Sequence, residues 1–409
     1  MHILLVKPDP IGKRAFARRN CACLTLQILS ALTPQKHFID TIDESYQTIN
    51  FDKKYDLVGI TCMTYDVVRG YEIADEFRRR GIKVVLGGWH PSVMPKEAKQ
   101  HADGVVIGEA EIIWPRLLKD LDEGNLKEFY KQETPIDPKL IPKARRDVTK
   151  DKSNTAGIEA SRGCPIGCDF CAISNKVGGN IFRPRPIEDI IDEIKSIKQK
   201  NLFFYSPSMT IDPKYTKTLF SEMIGLNKKF SGYGHLNVLG RDQELLKLAK
   251  KAGCVGWTVG FESISQETID NIGKSSNKVS DYKSSLKNIY DNGMIVRGAF
   301  VFGFDDDKLD VFDNTLKFIY DVKLNTIVIS ILTPLPGTPL YDRMNAQDRI
   351  LSKNWSLYDF HHVVFKPKNM TAEQLYLESN RIANDFFKFK NTIKAVFRSS
   401  KIKFIKIFK

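Results

Sequence analysis

The chain has 409 residues, 42% hydrophobic and 27% charged, with seven cysteines and a formal net charge of +13. That length exceeds one ordinary core, so two domains with an appendage are expected; no run of about 18 uncharged apolar residues offers a membrane span, and cysteines without an even framework of spacings suit a reducing cytoplasm. The charge does not point to nucleic acid, because Lys388, Lys390, Lys394, Arg398, Lys401, Lys403, Lys406 and Lys409 follow Asp385 without an acid among them, and no basic stripe interleaves with aromatics.

Residues 1–121 alternate short apolar runs with helical patterns. The start, His2 to Val6, is too short for a signal peptide and reads as a buried strand. Cys23 to Leu32 reads as a helix, Leu57 to Cys62 as a strand and Val67 to Arg80 as a helix; Val84 to Leu86 and Gly104 to Ile107 read as strands, and Ile112 to Leu121 closes the unit as a helix. Such alternation predicts a doubly wound, Rossmann-like α/β domain with its ligand at the carboxyl ends of parallel strands. The loops at those ends are Pro8-Asp9-Pro10, Thr61-Cys62-Met63-Thr64, Gly87-Gly88-Trp89-His90-Pro91 and Gly108-Glu109-Ala110-Glu111. Paired glycines there would let backbone approach a bulky ligand.

Residues 122–154 carry Pro135, Pro138 and Pro142 and read as a linker. Strand and helix then alternate again through 155–345. Helices are expected at Ile187 to Lys198, Lys214 to Asn227, Gln243 to Ala252, Asp281 to Asn292 and Val311 to Val322. Strands are expected at Leu202 to Tyr205, Trp257 to Phe261, Val296 to Phe302 and Thr326 to Ile331, with His235 to Leu239 a weaker one. Residues 346–409 read as a small helical cap ending in a basic amphipathic tail that could lie on anionic lipid or dock on the body.

The most informative segment is Ser161-Arg162-Gly163-Cys164-Pro165-Ile166-Gly167-Cys168-Asp169-Phe170-Cys171. Three thiolates at this spacing can hold three irons of a 4Fe-4S cluster and leave the fourth without a protein ligand, whereas a ferredoxin needs a fourth cysteine nearby and the next one is Cys254. A zinc centre would also lack its fourth ligand in this stretch. The run resembles the signature of the radical S-adenosylmethionine (SAM) family, with Phe170 as the aromatic residue before the last cysteine. The resemblance implies a partial barrel of about six strand and helix units, with the SAM amino and carboxylate groups on the open iron and a 5'-deoxyadenosyl radical formed by one electron from the cluster.

Residues 1–121 resemble the cobalamin-binding domain upstream of many radical SAM enzymes, on Gly-Gly-x-His-Pro at Gly87 to Pro91 and Gly-Glu-x-Glu at Gly108 to Glu111. A Rossmann-like domain holding nothing is the alternative. The mutase motif Asp-x-His-x-x-Gly is absent: His101-Ala102-Asp103-Gly104 has Lys99 where the aspartate should stand. The resemblance makes Pro8, Thr61, Met63, Thr64, Gly87, Gly88, Trp89, His90, Gly108 and Glu109 candidate cobalamin contacts. His90 is a candidate neighbour of the corrin, read more readily as a loop or capping residue than as a cobalt ligand. On the SAM side it implies Phe170, Ser206, Glu262, Arg297 and Ser330. Glu262 lies in Gly260-Phe261-Glu262-Ser263, matching the family's Gly-x-Glu-Ser strand, with a structural salt bridge as its alternative; Arg297 could pair with the SAM carboxylate or with backbone. The family's Gly-Gly-Glu segment is replaced by Phe204-Tyr205-Ser206-Pro207-Ser208-Met209, and Pro334 to Pro339 resembles the Pro-Gly-Thr-Pro ending of its cobalamin-linked members.

These resemblances imply a cobalamin-dependent radical SAM enzyme that methylates an unactivated carbon by way of methylcobalamin, acting on a small or lipid-like molecule and fed by a one-electron reductant of flavodoxin or ferredoxin type. A cyclase or rearrangement enzyme with the same cofactors, a methylthiotransferase with a second cluster on Cys21, Cys23 and Cys62, and a sensor that catalyses nothing are the rival readings.

Overall fold

The computed structural model describes residues 1–9, 21–150, 153–175 and 178–388. The first six strands are β1 (His2–Lys7), β2 (Phe38–Asp43), β3 (Leu57–Thr61), β4 (Lys83–Gly87), β5 (Gly104–Ile107) and β6 (Phe129–Lys131), all parallel in the order β2-β1-β3-β4-β5-β6. Alternate side chains go to opposite faces, so Leu4, Val6, Val58, Ile60 and Leu86 pack under the helix Val67–Arg79, while Ile3, Leu5, Leu57 and Val85 pack with Trp114 and Leu117 of the helix Ile113–Asp122. Burial on both faces is why these strands read as continuous apolar runs. The sixth strand falls inside the stretch expected to be a linker.

After β7 (Thr155–Ile158), a two-stranded antiparallel collar of β8 (Ser161–Arg162) and β9 (Arg183–Pro184) brackets the cysteine loop. The sheet then continues through β10 (Asn201–Phe204), β11 (Lys229–Tyr233), β12 (Cys254–Glu262), β13 (Ile295–Phe302) and β14 (Thr326–Ile331), parallel throughout in the order β14-β13-β12-β11-β10-β7. This is the six-stranded open barrel the cysteine motif implied. The strand expected at His235 to Leu239 is instead the helix Leu236–Arg241, and the true strand is β11 just before it. Outward residues such as Phe204, Trp257, Phe261 and Phe300 fill the core beneath the helices, with the Phe261 and Phe300 rings stacked at 5.2 Å.

The carboxyl-terminal region straps both halves together. Leu375, Ile382 and Phe386 of the helix Ala372–Phe387 join the barrel core, whereas Trp355, Tyr358 and Val364 join the core of the first sheet. The basic tail lies outside the described residues from 389 onward, and no described helix is long and apolar enough to cross a membrane.

Candidate functional site

The cysteine loop is held by its own backbone. Gly163 has φ +77°, and a Cβ there would overlap the carbonyl oxygen of Ile181. The Cys164 amide donates to the Gly179 carbonyl at 2.7 Å, Ser174 Oγ donates to the Cys164 carbonyl at 3.1 Å, and Asn175 Nδ2 donates to the carbonyls of Cys168 and Cys171 at 3.3 and 2.7 Å. Ser206 is fully buried, with its Oγ accepting the Ala160 and Ser161 amides at 3.0 Å. In this structure Ser206 fixes the backbone entering the loop.

Burial pushes the Cys168 thiol up to about 12 and raises Cys164, while the nearby Lys274 ammonium opposes both shifts. Burial of this kind does not stop the thiols acting as ligands, since coordination deprotonates a thiol outright. Among the described residues no three His, Cys, Asp or Glu side chains converge on a point suited to a single ion. Cys164, Cys168 and Cys171 lie close enough to influence one another electrostatically, as three ligands from one loop would.

Glu262 ends β12 at a register irregularity, with φ +58°. Bulges re-aim side chains, and here the carboxylate pairs with Lys274, whose side chain is also largely buried. Glu262 is therefore salt-bridged, and the bridge lies close enough to the Cys168 thiol to influence it. Phe170 packs edge-on to Phe304 at 5.9 Å. Burial lowers the Arg297 guanidinium from its ordinary value, and Tyr233 lies close enough to oppose the shift. Ser330 is half-buried near the end of β14.

The carboxyl ends of the two sheets meet. After β1, Cys21 Sγ lies 2.9 Å from the Tyr205 hydroxyl at the end of β10. After β5, Glu109 forms two 2.8 Å bonds with Arg183, and Arg162 reaches Glu109, Glu111 and Glu159 at 3.3, 2.7 and 3.0 Å. After β3, Thr64–Asp66 packs against Trp355–Leu357. Burial alone would raise Glu109, but Arg183 and Arg162 hold its carboxyl down to about 2. Glu109 is thus engaged in an inter-domain ion pair with Arg183 and Arg162.

Other first-domain candidates also change role. His90 is fully buried, its Nε2 3.2 Å from Glu97 Oε1, which also accepts from Tyr71 and Trp355 at 3.0 Å. It supports the strap and has no surface to offer a corrin. Gly88 has φ +96° and a Cβ there would stand 2.6 Å from the Cys62 carbonyl oxygen; at Gly108, φ +97°, it would stand 2.5 Å from Gln132 Oε1. Both glycines answer to the chain's own packing. Thr61, Met63 and Gly87 keep partial exposure at the rim, while Pro8 is buried. Thr64 Oγ1 and Trp89 Nε1 are buried without a hydrogen-bond partner, polar atoms of the kind an amide-bearing corrin can use, so this rim fits cobalamin.

Cys23 packs on one face of the first sheet and Cys62 on the other, so Cys21, Cys23 and Cys62 cannot share a second cluster. Lys274, Arg162, Arg183 and Tyr205 carry much of the site's electrostatics and were not singled out by sequence. Arg162 had a signal in its place next to Gly163-Cys164; Lys274 had none.

Residues 158–319 match the radical SAM superfamily and residues 32–118 match the B12 binding domain. The chain is 31% identical over 376 residues to bacteriochlorophyllide d C-12(1)-methyltransferase of Chlorobaculum tepidum, covering 88% of this chain and 82% of the relative. It is 34% identical over 370 residues to the C-8(2)-methyltransferase of the same organism, covering 84% and 80%. The radical SAM methyltransferase TsrM of Kitasatospora setae, solved with cobalamin and a [4Fe-4S] cluster, superposes with a TM-score of 0.75 over 95% of this chain and 89% of that one; at 16% identity the likeness is one of fold.

Proposed function

The chain belongs to the radical SAM superfamily and joins that barrel to a B12-binding domain, and on that premise we propose that this cobalamin-dependent enzyme methylates an unactivated carbon of a hydrophobic ring compound of tetrapyrrole type. The observation that carries the reading is the meeting of the two sheets' carboxyl ends through Cys21 and Tyr205, Arg162 and Glu111, and Thr64–Asp66 and Trp355–Leu357. Cofactors at the carboxyl ends of both sheets would lie on either side of this junction. When bound, the cluster and SAM supply a 5'-deoxyadenosyl radical that removes a substrate hydrogen, and cobalamin supplies the methyl group.

The chain's own residues then position and shield. Cys164, Cys168 and Cys171 would hold three irons, with Phe170 walling one side. Glu262 and Lys274, a pair of opposite charges near the Cys168 thiol, would meet the SAM amino and carboxylate groups, with Arg297 and Ser330 on neighbouring strands as further contacts. Pro8, Thr61, Met63, Thr64, Gly87 and Trp89 form the corrin rim. Relatives that act on bacteriochlorophyllide d support a tetrapyrrole. An external one-electron reductant completes the cycle, and residues beyond 388 would attach the enzyme to anionic membranes.

The test is anaerobic reconstitution with iron, sulfide and cobalamin, followed by turnover of a bacteriochlorophyllide with methyl-deuterated SAM. Labelled methyl on the product, with 5'-deoxyadenosine and S-adenosylhomocysteine in equal amounts, is expected. Deoxyadenosine with no methyl on any product would replace methylation by cyclisation or rearrangement.

A further inference from the structure

Asp359, His361 and His362 belong to no assignment above, yet they stand where the two halves meet. The Phe360 carbonyl accepts the Ile331 amide at 2.8 Å, which closes the end of β14, and the Phe360 ring packs against the core of the first sheet. Just upstream, Trp355–Leu357 lies against the loop that follows β3. The turn is therefore pinned between the barrel mouth and the corrin rim.

Its internal geometry is more specific than a turn requires. Asp359 Oδ1 accepts the amides of His361 and His362 at 3.1 Å, and both carboxylate oxygens lie 2.9 Å from His362 Nδ1. The Asp359 side chain is 8% exposed and that of His362 is 40% exposed. Phe360 carries a positive φ of 66°, a costly conformation for a bulky residue, and one that persists only where surroundings enforce it. A buried carboxylate thus fixes the ring by one nitrogen and leaves Nε2 as an acceptor. That carboxylate–imidazole pairing orients and strengthens metal-binding histidines.

We infer that His362, oriented by Asp359, is the axial ligand to the central metal of a metallated tetrapyrrole substrate. The inference rests on the ring-methylation reading above. A metal held by four ring nitrogens has an open axial position, and an imidazole there would anchor the flat ring in the crevice without covering its periphery, where the methyl group is delivered.

The full-length protein is titrated with zinc pheophorbide and with metal-free pheophorbide, following absorbance and fluorescence. Zinc replaces magnesium because it accepts imidazole readily. The wild type should bind the zinc ring at least about tenfold more tightly than the free base, with the band shift of axial ligation. His362→Ala should lose the shift and the preference while binding the free base as the wild type does, and Asp359→Asn should lose about tenfold in zinc-ring affinity. Unchanged free-base affinity in the variants rules out misfolding as the cause. If both rings bind the wild type equally, or His362→Ala keeps the shift, the ligand assignment is overturned and the tetrapyrrole reading stands. If neither ring binds, the tetrapyrrole reading falls and the ligand assignment with it.

Discussion

Glu262 and Lys274 are each 11% exposed, so their attraction acts in a medium that screens it poorly. Removing one member of such a pair leaves a charge that neither water nor a partner can compensate, at a cost of about 3–5 kcal/mol. Lys274→Met should destabilise the apoprotein on that scale in urea titrations, and should also lower iron retention, because the ammonium faces the Cys164 and Cys168 thiols. Stability lost with full iron content would separate Lys274 from the cluster. Asp307 makes the opposite kind of prediction. Burial pushes its carboxyl up to about 7, against the two amide bonds it accepts from Gly303 and Phe304 at 2.8 and 3.0 Å. An unfolded aspartate titrates near about 3.9, so between those values the folded chain holds more protons than the unfolded one. Stability from this group is thus fully present at low pH, declines as pH rises from about 4 to about 7, and is lost above, by at most about 4 kcal/mol. Asp307→Asn should flatten that decline in unfolding experiments at pH 5 and 8; identical pH slopes in variant and wild type would refute it.

Gly163 carries the argument at the scale of the cysteine loop. With φ +77° and the Ile181 carbonyl pressed against its α-carbon, any side chain must displace backbone of the return segment. Gly163→Ala should therefore cut cluster incorporation severely while all three thiols remain, read as iron per chain and as the EPR signal of the reduced cluster; normal iron content would mean that the loop tolerates the shift. That loop was plain in sequence because three cysteines within eight residues are a local signal, as were strands such as β1 and β4, whose burial leaves unbroken apolar runs. Edge strands hid. β2 reads Phe-Ile-Asp-Thr-Ile-Asp with Phe38 exposed, and β6 has three residues, so neither has a buried face on both sides to impose a pattern. β11 alternates Phe230 with Ser231 and Gly232, and the apolar run after it took its place in the sequence reading. Partners of ion pairs were equally illegible: Arg162 and Glu111 lie 51 residues apart, and Trp355 reaches Glu97 across 258. Ser206, His90 and Glu109 were found by their positions at strand ends, but position does not tell whether a polar side chain faces a cofactor or the protein itself.

At the scale of the whole molecule, two of the ties between the sheets, besides Arg183–Glu109 and Cys21–Tyr205, concern their register. One is the carboxyl-terminal strap, where Glu97 accepts from Trp355 and Tyr71. The other is Arg162, which touches Glu109 and Glu111 of the first domain and Glu159 of the barrel, and which immediately precedes the cysteine loop. A guanidinium serves several carboxylates at once through five donors that fan out in a fixed plane, whereas a lysine offers three donors on one compact ammonium. Arg162→Met would leave Glu111 and Glu159 without this cation, though Glu109 would keep Arg183. The buried acids should then repel each other and separate the first domain's last loop from the barrel. Hydrogen exchange is expected to quicken at Gly108 to Glu111 and at Ser161 to Cys164, with β12 and β13 unchanged, and cobalamin retained through gel filtration should fall. Arg162→Lys should recover the charge but only part of the protection. The relative placement of two cofactors is what a shared substrate requires, so methyl transfer should suffer more than SAM cleavage in the methionine variant. If exchange, cobalamin retention and the ratio of methylated product to deoxyadenosine all stay at wild-type values, the ion network does not hold the two halves in register.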